Sequence, residues 1–210
     1  MKTDTIAAIA TAVSDSGIGI IRVSGENAIE IVDKIYQSKN RKKRLCEVKT
    51  HTIHYGFIYD EDTLIDEVMI AVLHAPNTYT REETVEIDCH GGILVMNQIL
   101  DVLLRSGCRL AEPGEFTKRA FLNGRIDLSK AEAVMDIIHS KNEFALRSSV
   151  RQLSGAVTEK VQFLREEILY EIAYIESALD DPEHISLDGY RERLEEKVKN
   201  IKSILKKLID

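Results

Sequence analysis

The sequence predicts an α+β protein: a mixed-sheet domain followed by an all-α domain. Two observations carry this. Up to residue 118, short β-branched or alternating runs dominate, with two helical patterns between them. Beyond that point strand patterning almost vanishes, and apolar residues recur in steps of three and four. The expected domains are therefore 1–118 and 119–210. A third observation shows that such domains can stand without staples. Hydrophobic residues make up 44% and charged residues 30% of the 210 residues, an ordinary globular balance.

The elements follow in order. Thr5–Val13 and Ile18–Val23 are β-rich runs joined by Ser14-Asp15-Ser16-Gly17, a hairpin-like signal. Glu26–Tyr36 has apolar residues at Ala28, Ile29, Ile31, Val32 and Ile35, the spacing of a helix face. Thr50–Tyr59 alternates, and Glu67–Leu73 is a second strand after the acidic turn Asp60-Glu61-Asp62. Thr84–Cys89 is another strand, and Gly91-Gly92 turns the chain into a helix over Ile93–Arg105. Cys108–Ala111 is a candidate last strand. Glu115–Leu122 reads as a helix that Asn123-Gly124 stops, with Asp127 or Ser129 capping the next one. The seam Val150, Leu153, Val157, Val161, Leu164, Ile168, Ile172, Ile175, Leu179 predicts one long helix over Asn142–Asp180, roughly 58 Å at ~1.5 Å per residue. The seam is assigned to a bundle interior. Pro182 ends this helix, and a last one is expected over Leu187–Ile209. The pattern runs to Asp210 without a terminator, which suggests a truncated or proteolysed chain.

Charge excludes some functions. There are 28 basic and 35 acidic side chains, net −7, and neither expected domain is basic. Unaided nucleic-acid binding is disfavoured. The one basic cluster, Lys39–Arg44, is either a solvated loop or an RNA-phosphate contact. The three cysteines, Cys46, Cys89 and Cys108, show neither pairing nor zinc spacing, and no signal peptide or spanning run is present. Together these favour a reducing cytoplasm and no membrane. Cys89 reads as a core residue rather than a nucleophile.

The run Pro113–Val134, PGEFTKRAFLNGRIDLSKAEAV, specifies too many polar residues for a plain amphipathic helix. With GIGIIRVSG at Gly17–Gly25 and ETVEIDCHGG at Glu83–Gly92, it resembles the tRNA-modification GTPase family known as MnmE, TrmE or ThdF. The likeness extends in order along essentially the whole chain. It implies a first domain with the tetrahydrofolate-binding fold of glycine-cleavage aminomethyltransferases, then part of a helical domain. It implies a homodimer, with the folate at or near the subunit interface. It also implies a flavoprotein partner, MnmG (GidA), and tRNA in the full complex. The folate, as a 5-formyl or 5,10-methylene derivative, would give the carbon added at C5 of the wobble uridine. GTP, Mg2+ and K+ would belong to a GTPase domain inserted beyond this chain. No Gly-Lys dipeptide and no Asn-Lys-x-Asp occurs in the sequence, so it contains no P-loop and no guanine-recognition motif of that type.

Three residues are the candidate folate contacts: Arg22, Glu86 and Arg125. Glu86 shares a strand face with Asp88, while Val85, Ile87 and Cys89 share the other. Read from pattern alone, that face is either plain surface or ligand recognition. A pterin offers an amide N–H beside an exocyclic amine, two parallel donors that suit one carboxylate. Arg22, between β-branched residues, is a packed strand residue with its head in water or a guanidinium for the folate's carboxylates and carbonyls. The resemblance places folate contacts at Glu86 and Arg22, and a third at Arg125, where many members carry Lys. His90-Gly91-Gly92 is a tight turn or an anion-holding helix start. No catalytic residue and no metal ligand is assigned. A stand-alone folate-dependent aminomethyltransferase is the alternative function.

Overall fold

The structure is a computed structural model that describes residues 4–39 and 43–209. It divides into two compact units, Met1–Ile126 and Asp127–Asp210. The division falls after Ile126, whereas the sequence placed it after Lys118. The helix between these points stays with the sheet through the buried side chains of Glu115 and Arg119.

The first unit is built on one sheet of seven strands among the described residues. These are β1 (Ile6–Ile9), β2 (Gly19–Ser24), β3 (Tyr36–Ser38), β4 (Thr52–Asp60), β5 (Thr63–Leu73), β6 (Thr84–Cys89) and β7 (Arg109–Leu110). Their order is β3-β4-β5-β6-β2-β1-β7. All neighbours are antiparallel except β1 and β7, so the sheet is mixed as expected. The hairpin signal is realised as β1 and β2, with Ile6 opposite Ser24.

Helices α1 (Ala28–Ile35) and α2 (Ile93–Arg105) cover one face. Alternation sends Ile21, Val23, Ile70, Val72, Val85 and Ile87 to that side, where they pack with Ile29, Val32, Met96, Ile99 and Leu103. Burial of an aliphatic side chain of this size contributes about 1.5–3 kcal/mol each. The opposite face, called here the open face, carries Ile20, Arg22, Glu86, Asp88, Ala71, Met69, Tyr55 and Ile53. On it Ile53, Met69 and Tyr55 remain 66%, 46% and 43% exposed.

Two details were not legible in the sequence. The helical pattern includes Tyr36, but Tyr36 is extended and begins β3, opposite Ile58. Its phenol donates to the Tyr55 carbonyl at 2.8 Å, a tertiary bond that no local pattern encodes. A short 3-10 turn at Leu45–Glu47 is held by Asp33, whose Oδ1 accepts from the Leu45 N–H at 2.6 Å.

Helix α3 (Glu115–Leu122) closes the first unit. The second unit holds α4 (Leu128–His139), α5 (Glu143–Leu153), α6 (Ala156–Asp180) and α7 (Tyr190–Ile209). Asp127 is the cap of α4, accepting from the Lys130 N–H at 2.8 Å. The single long helix expected over Asn142–Asp180 is corrected to two. Gly155 sits at φ +99°, a left-handed conformation that glycine adopts without a Cβ penalty, and it splits the run. The interior assignment of the seam is corrected as well. Leu164 is buried, but Val150, Val161, Ile168, Ile172 and Leu179 are 44–71% exposed. The buried residues of α6 are Leu164, which belongs to the seam, and Glu171 and Ala178, which do not. Glu171 accepts from the Tyr190 phenol at 2.7 Å, and Lys197 donates to the same carboxylate at 2.7 Å. Among the described residues no helix is long and apolar enough to cross a membrane.

Candidate ligand-binding site

Strand register places Arg22 directly opposite Glu86 on the open face. The two side chains form an ion pair: Arg22 Nε donates to Glu86 Oε1 at 2.8 Å, and Nη2 lies 2.7 Å from the same oxygen. Both bonds converge on Oε1. Glu86 Oε2 and Arg22 Nη1 make no hydrogen bond among the described residues. The pair is half-buried, 29% and 26% exposed, so it is reachable yet partly desolvated. From sequence, the two residues were each assigned a contact to the ligand. The structure joins them first to one another.

Arg125 belongs to the same cluster. Its guanidinium lies 4.7 Å from the centroid of Tyr79, and the Arg22 guanidinium lies 5.6 Å from that ring and 5.6 Å from Phe116. Two cations thus share one aromatic ring, a contact worth ~0.5–1 kcal/mol each where exposed. Arg125 is exposed and has no ion pair or side-chain hydrogen bond among the described residues. Candidates separated by 64 residues in the case of Arg22 and Glu86 are thereby gathered into one place. Tyr79 and Phe116 were missed by the sequence reading. Tyr79 sits in the loop before β6, where no periodicity marks an aromatic as functional. Beside it a cleft of about 460 Å³ is lined by His51, Leu73, Asn77, Tyr79, Arg81 and Arg125.

The polar run around α3 explains how this cluster is held. Buried Arg119 donates to the Asp4 carbonyl at 2.9 Å, to Glu115 at 3.0 Å and to Glu82 at 3.2 Å. Buried Glu115 also accepts from Arg109 Nη2 at 2.6 Å and from the Glu112 N–H at 2.8 Å. Tyr79 is fixed by Thr117, hydroxyl to hydroxyl at 3.0 Å, and the Asn123 amide donates to the Thr80 carbonyl at 2.6 Å. The specified polar residues are thus a framework that sets Tyr79, Phe116 and Arg125 beside Arg22. Arg109 above all, with backbone and Arg119 bonds, holds the Glu115 carboxyl down to about 2. Its stabilisation is therefore present above the unfolded carboxyl value near ~4.3 and is lost as pH falls towards 2, about 3 kcal/mol in all. Chemical denaturation of Glu115→Gln beside wild type should show a gap at about pH 6 that narrows by about pH 3. A gap independent of pH would contradict this role.

Asp88 shares the open face with Glu86, as the alternation predicted. Burial first, then the neighbouring Glu86 charge, pushes its carboxyl up. Cys89 points to the core, donates to the Gly19 carbonyl at 3.3 Å, and has its thiol pushed up to about 11 by burial. It is a protonated core residue at neutral pH, not a nucleophile. At His90-Gly91-Gly92 the glycine has a packing cause. A Cβ on Gly91 would collide with Ser16 of the β1–β2 loop and with the Ile18 carbonyl. Of the basic cluster Lys39–Arg44, residues Asn40, Arg41 and Lys42 lie outside the described residues. Arg44 pairs with Asp33 at 3.0 Å, and Lys39 lies 5.7 Å from the Tyr55 ring centroid.

A family model described as "GTP-binding protein TrmE N-terminus" matches residues 5–125, and one described as "MnmE helical domain" matches residues 128–210. The chain belongs to the MnmE (TrmE) family. Among curated MnmE relatives, each named tRNA modification GTPase MnmE, the protein of Lachnoclostridium phytofermentans is 58% identical over 94% of this chain and 43% of its own length. That of Enterococcus faecalis is 50% identical over 100% of this chain and 45% of its own length. That of Bacillus subtilis is 54% identical over 86% and 40%. The chain thus spans less than half the length of these MnmE proteins. The two matched segments meet where the two compact units divide.

Proposed function

We propose that this chain is the folate-binding part of a tRNA-modification GTPase that acts in the cytoplasm on the wobble uridine of tRNA, together with the flavoprotein MnmG. The observation that supports this best is the convergence of Arg22, Glu86 and Arg125 around Tyr79. The residues present suit a tetrahydrofolate derivative, 5-formyl or 5,10-methylene. Glu86 Oε2 is an unused acceptor for a pterin donor edge. Arg125 and the free side of Arg22 are donors for carbonyls and carboxylates. Tyr79 and Phe116 supply aromatic surface for a ring system. When bound, such a folate supplies a one-carbon unit for addition at uridine C5. The protein's part is to hold and orient it, with Glu86 meeting the pterin donor edge and the guanidinium groups of Arg22 and Arg125 meeting acceptors beside it. GTP hydrolysis, with Mg2+ and K+, belongs to sequence that this chain does not contain.

Calorimetric titration of 5-formyl-tetrahydrofolate is the test, with GTP and magnesium titrated in parallel. The folate should bind near one equivalent per chain, and GTP should give no binding heat. Absence of folate binding would overturn the reading.

A homodimer is part of the same proposal. The exposed Ile53, Tyr55 and Met69 on the open face are apolar surface of the kind that subunit interfaces cover. Sedimentation at micromolar concentration should give a dimer, and Met69→Lys should shift it towards monomer. A monomeric wild type would contradict it.

A further inference from the structure

We propose that His90, held by Asp66, is a charged hydrogen-bond donor to the ligand on the open face, through Nε2–H. The inference rests on the folate reading and extends it to a residue outside the Arg22–Glu86–Arg125 cluster.

The geometry is that of a fixed imidazole with one working nitrogen. Asp66 lies on β5 and is 9% exposed. Its two oxygens are both taken by one residue: Oδ2 accepts from the His90 backbone N–H at 2.8 Å, and Oδ1 lies 2.7 Å from His90 Nδ1. A turn that needed only a backbone anchor would use the first bond alone. The second fixes the ring plane and places a proton on Nδ1, so that Nε2 is the nitrogen left to act. Nε2 has no hydrogen-bond partner among the described residues, and the side chain is 69% exposed.

The surroundings favour the protonated ring. His90 lines a cavity of about 250 Å³ with Gly17, Tyr55, Glu67, Met69 and Asp88. The charged or titratable groups around it are Asp66 and Glu67 from β5, Asp88 and the Cys89 thiol from β6 and the Tyr55 phenol from β4. Tyr55 is itself hydrogen-bonded to Glu67, which raises its pKa. The β1–β2 loop contributes Gly17 and no charge to the cavity. The Asp66 hydrogen bond, then its charge, raises the His90 pKa, with a smaller contribution from Glu67. The cavity shares no lining residue with the Arg22–Glu86–Arg125 cluster, but its Asp88 lies two residues from Glu86 on the same strand face. Four residues along an extended strand separate His90 from Glu86, about 13 Å, a span that one elongated ligand can bridge. In the complex, the Nε2–H donates to an oxygen or nitrogen of the ligand while Nδ1–H stays bonded to Asp66. The ring keeps both protons, so solvent supplies one wherever the free ring was neutral. Asp66 is a positioning residue.

The test is calorimetry of 5-formyl-tetrahydrofolate in two buffers of different ionisation enthalpy, from about pH 6 to about pH 8, with His90 followed by NMR. Binding should take up a fraction of a proton that rises towards one above the His90 midpoint. The His90 midpoint in wild type should rise on adding the folate, a readout that needs no variant. His90→Gln should abolish the proton uptake, and Asp66→Asn should lower the His90 midpoint in the free protein. Folate binding without proton uptake, or uptake that persists in His90→Gln, would overturn the donor role. An unshifted midpoint in folded Asp66→Asn would overturn the role of Asp66. Failure of wild type to bind folate at all would instead remove the folate reading on which this rests.

Discussion

Glu86→Ala is expected to weaken 5-formyl-tetrahydrofolate binding by about 2–4 kcal/mol, roughly 30- to 1000-fold. The carboxylate is half-buried and already committed to Arg22 through Oε1 alone. Its loss removes the acceptor for the pterin edge and leaves Arg22 without its counter-charge. The fold should survive, because Glu86 lies on the open face while its strand neighbours Val85 and Ile87 hold the core. Arg22→Ala should act in the same direction and less strongly, since Arg125 remains beside Tyr79. Calorimetry on variants with wild-type circular dichroism reads this. Equal affinities for Glu86→Ala and wild type would remove Glu86 from the site.

Arg119→Met should destabilise the first unit by about 3–5 kcal/mol, the cost of stranding buried partners of a removed charge. Arg119 is 6% exposed, and Glu115 at 7% would lose a partner that no solvent replaces. By contrast, Arg147→Met removes a pair with Glu143 in which both side chains are 77% exposed. Such pairs are worth ~0.3–0.5 kcal/mol. Denaturant unfolding should separate the two variants clearly. Equal effects would show that the Glu115–Arg119–Glu82 framework contributes nothing beyond a surface pair. Folate affinity should fall with Arg119→Met even under conditions where the unit stays folded, because Tyr79 and Phe116 lose their support.

Much of this fold was legible because local and tertiary preferences agree. The limits of β6 and α2 follow from alternation over Thr84–Cys89 and from the apolar face after Gly92. Tyr36 was misread because its strand pairing with Ile58 overrides a good helical pattern. The run Asn142–Asp180 was misread because the seam keeps its spacing straight through Ser154-Gly155, and only the backbone reveals the left-handed glycine. At the candidate site, the charge types were visible but their pairing was not. That Arg22 faces Glu86 depends on the β2–β6 register, and nothing in either segment fixes it. Tyr79 was invisible for a related reason: its position is set by Thr117 and Asn123, more than thirty residues away in the chain. The dense polar run around α3 signalled that something specific was built there, and the structure shows it to be a support.

The most direct measurement is a crystal structure of this chain with 5-formyl-tetrahydrofolate. The ligand should lie on the open face, with its pterin donor edge within about 2.7–3.1 Å of Glu86 Oε2. A guanidinium of Arg22 or Arg125 should lie on the remainder of the ligand. Folate bound away from the open face, with the Arg22–Glu86 pair unchanged and Tyr79 untouched, would contradict it.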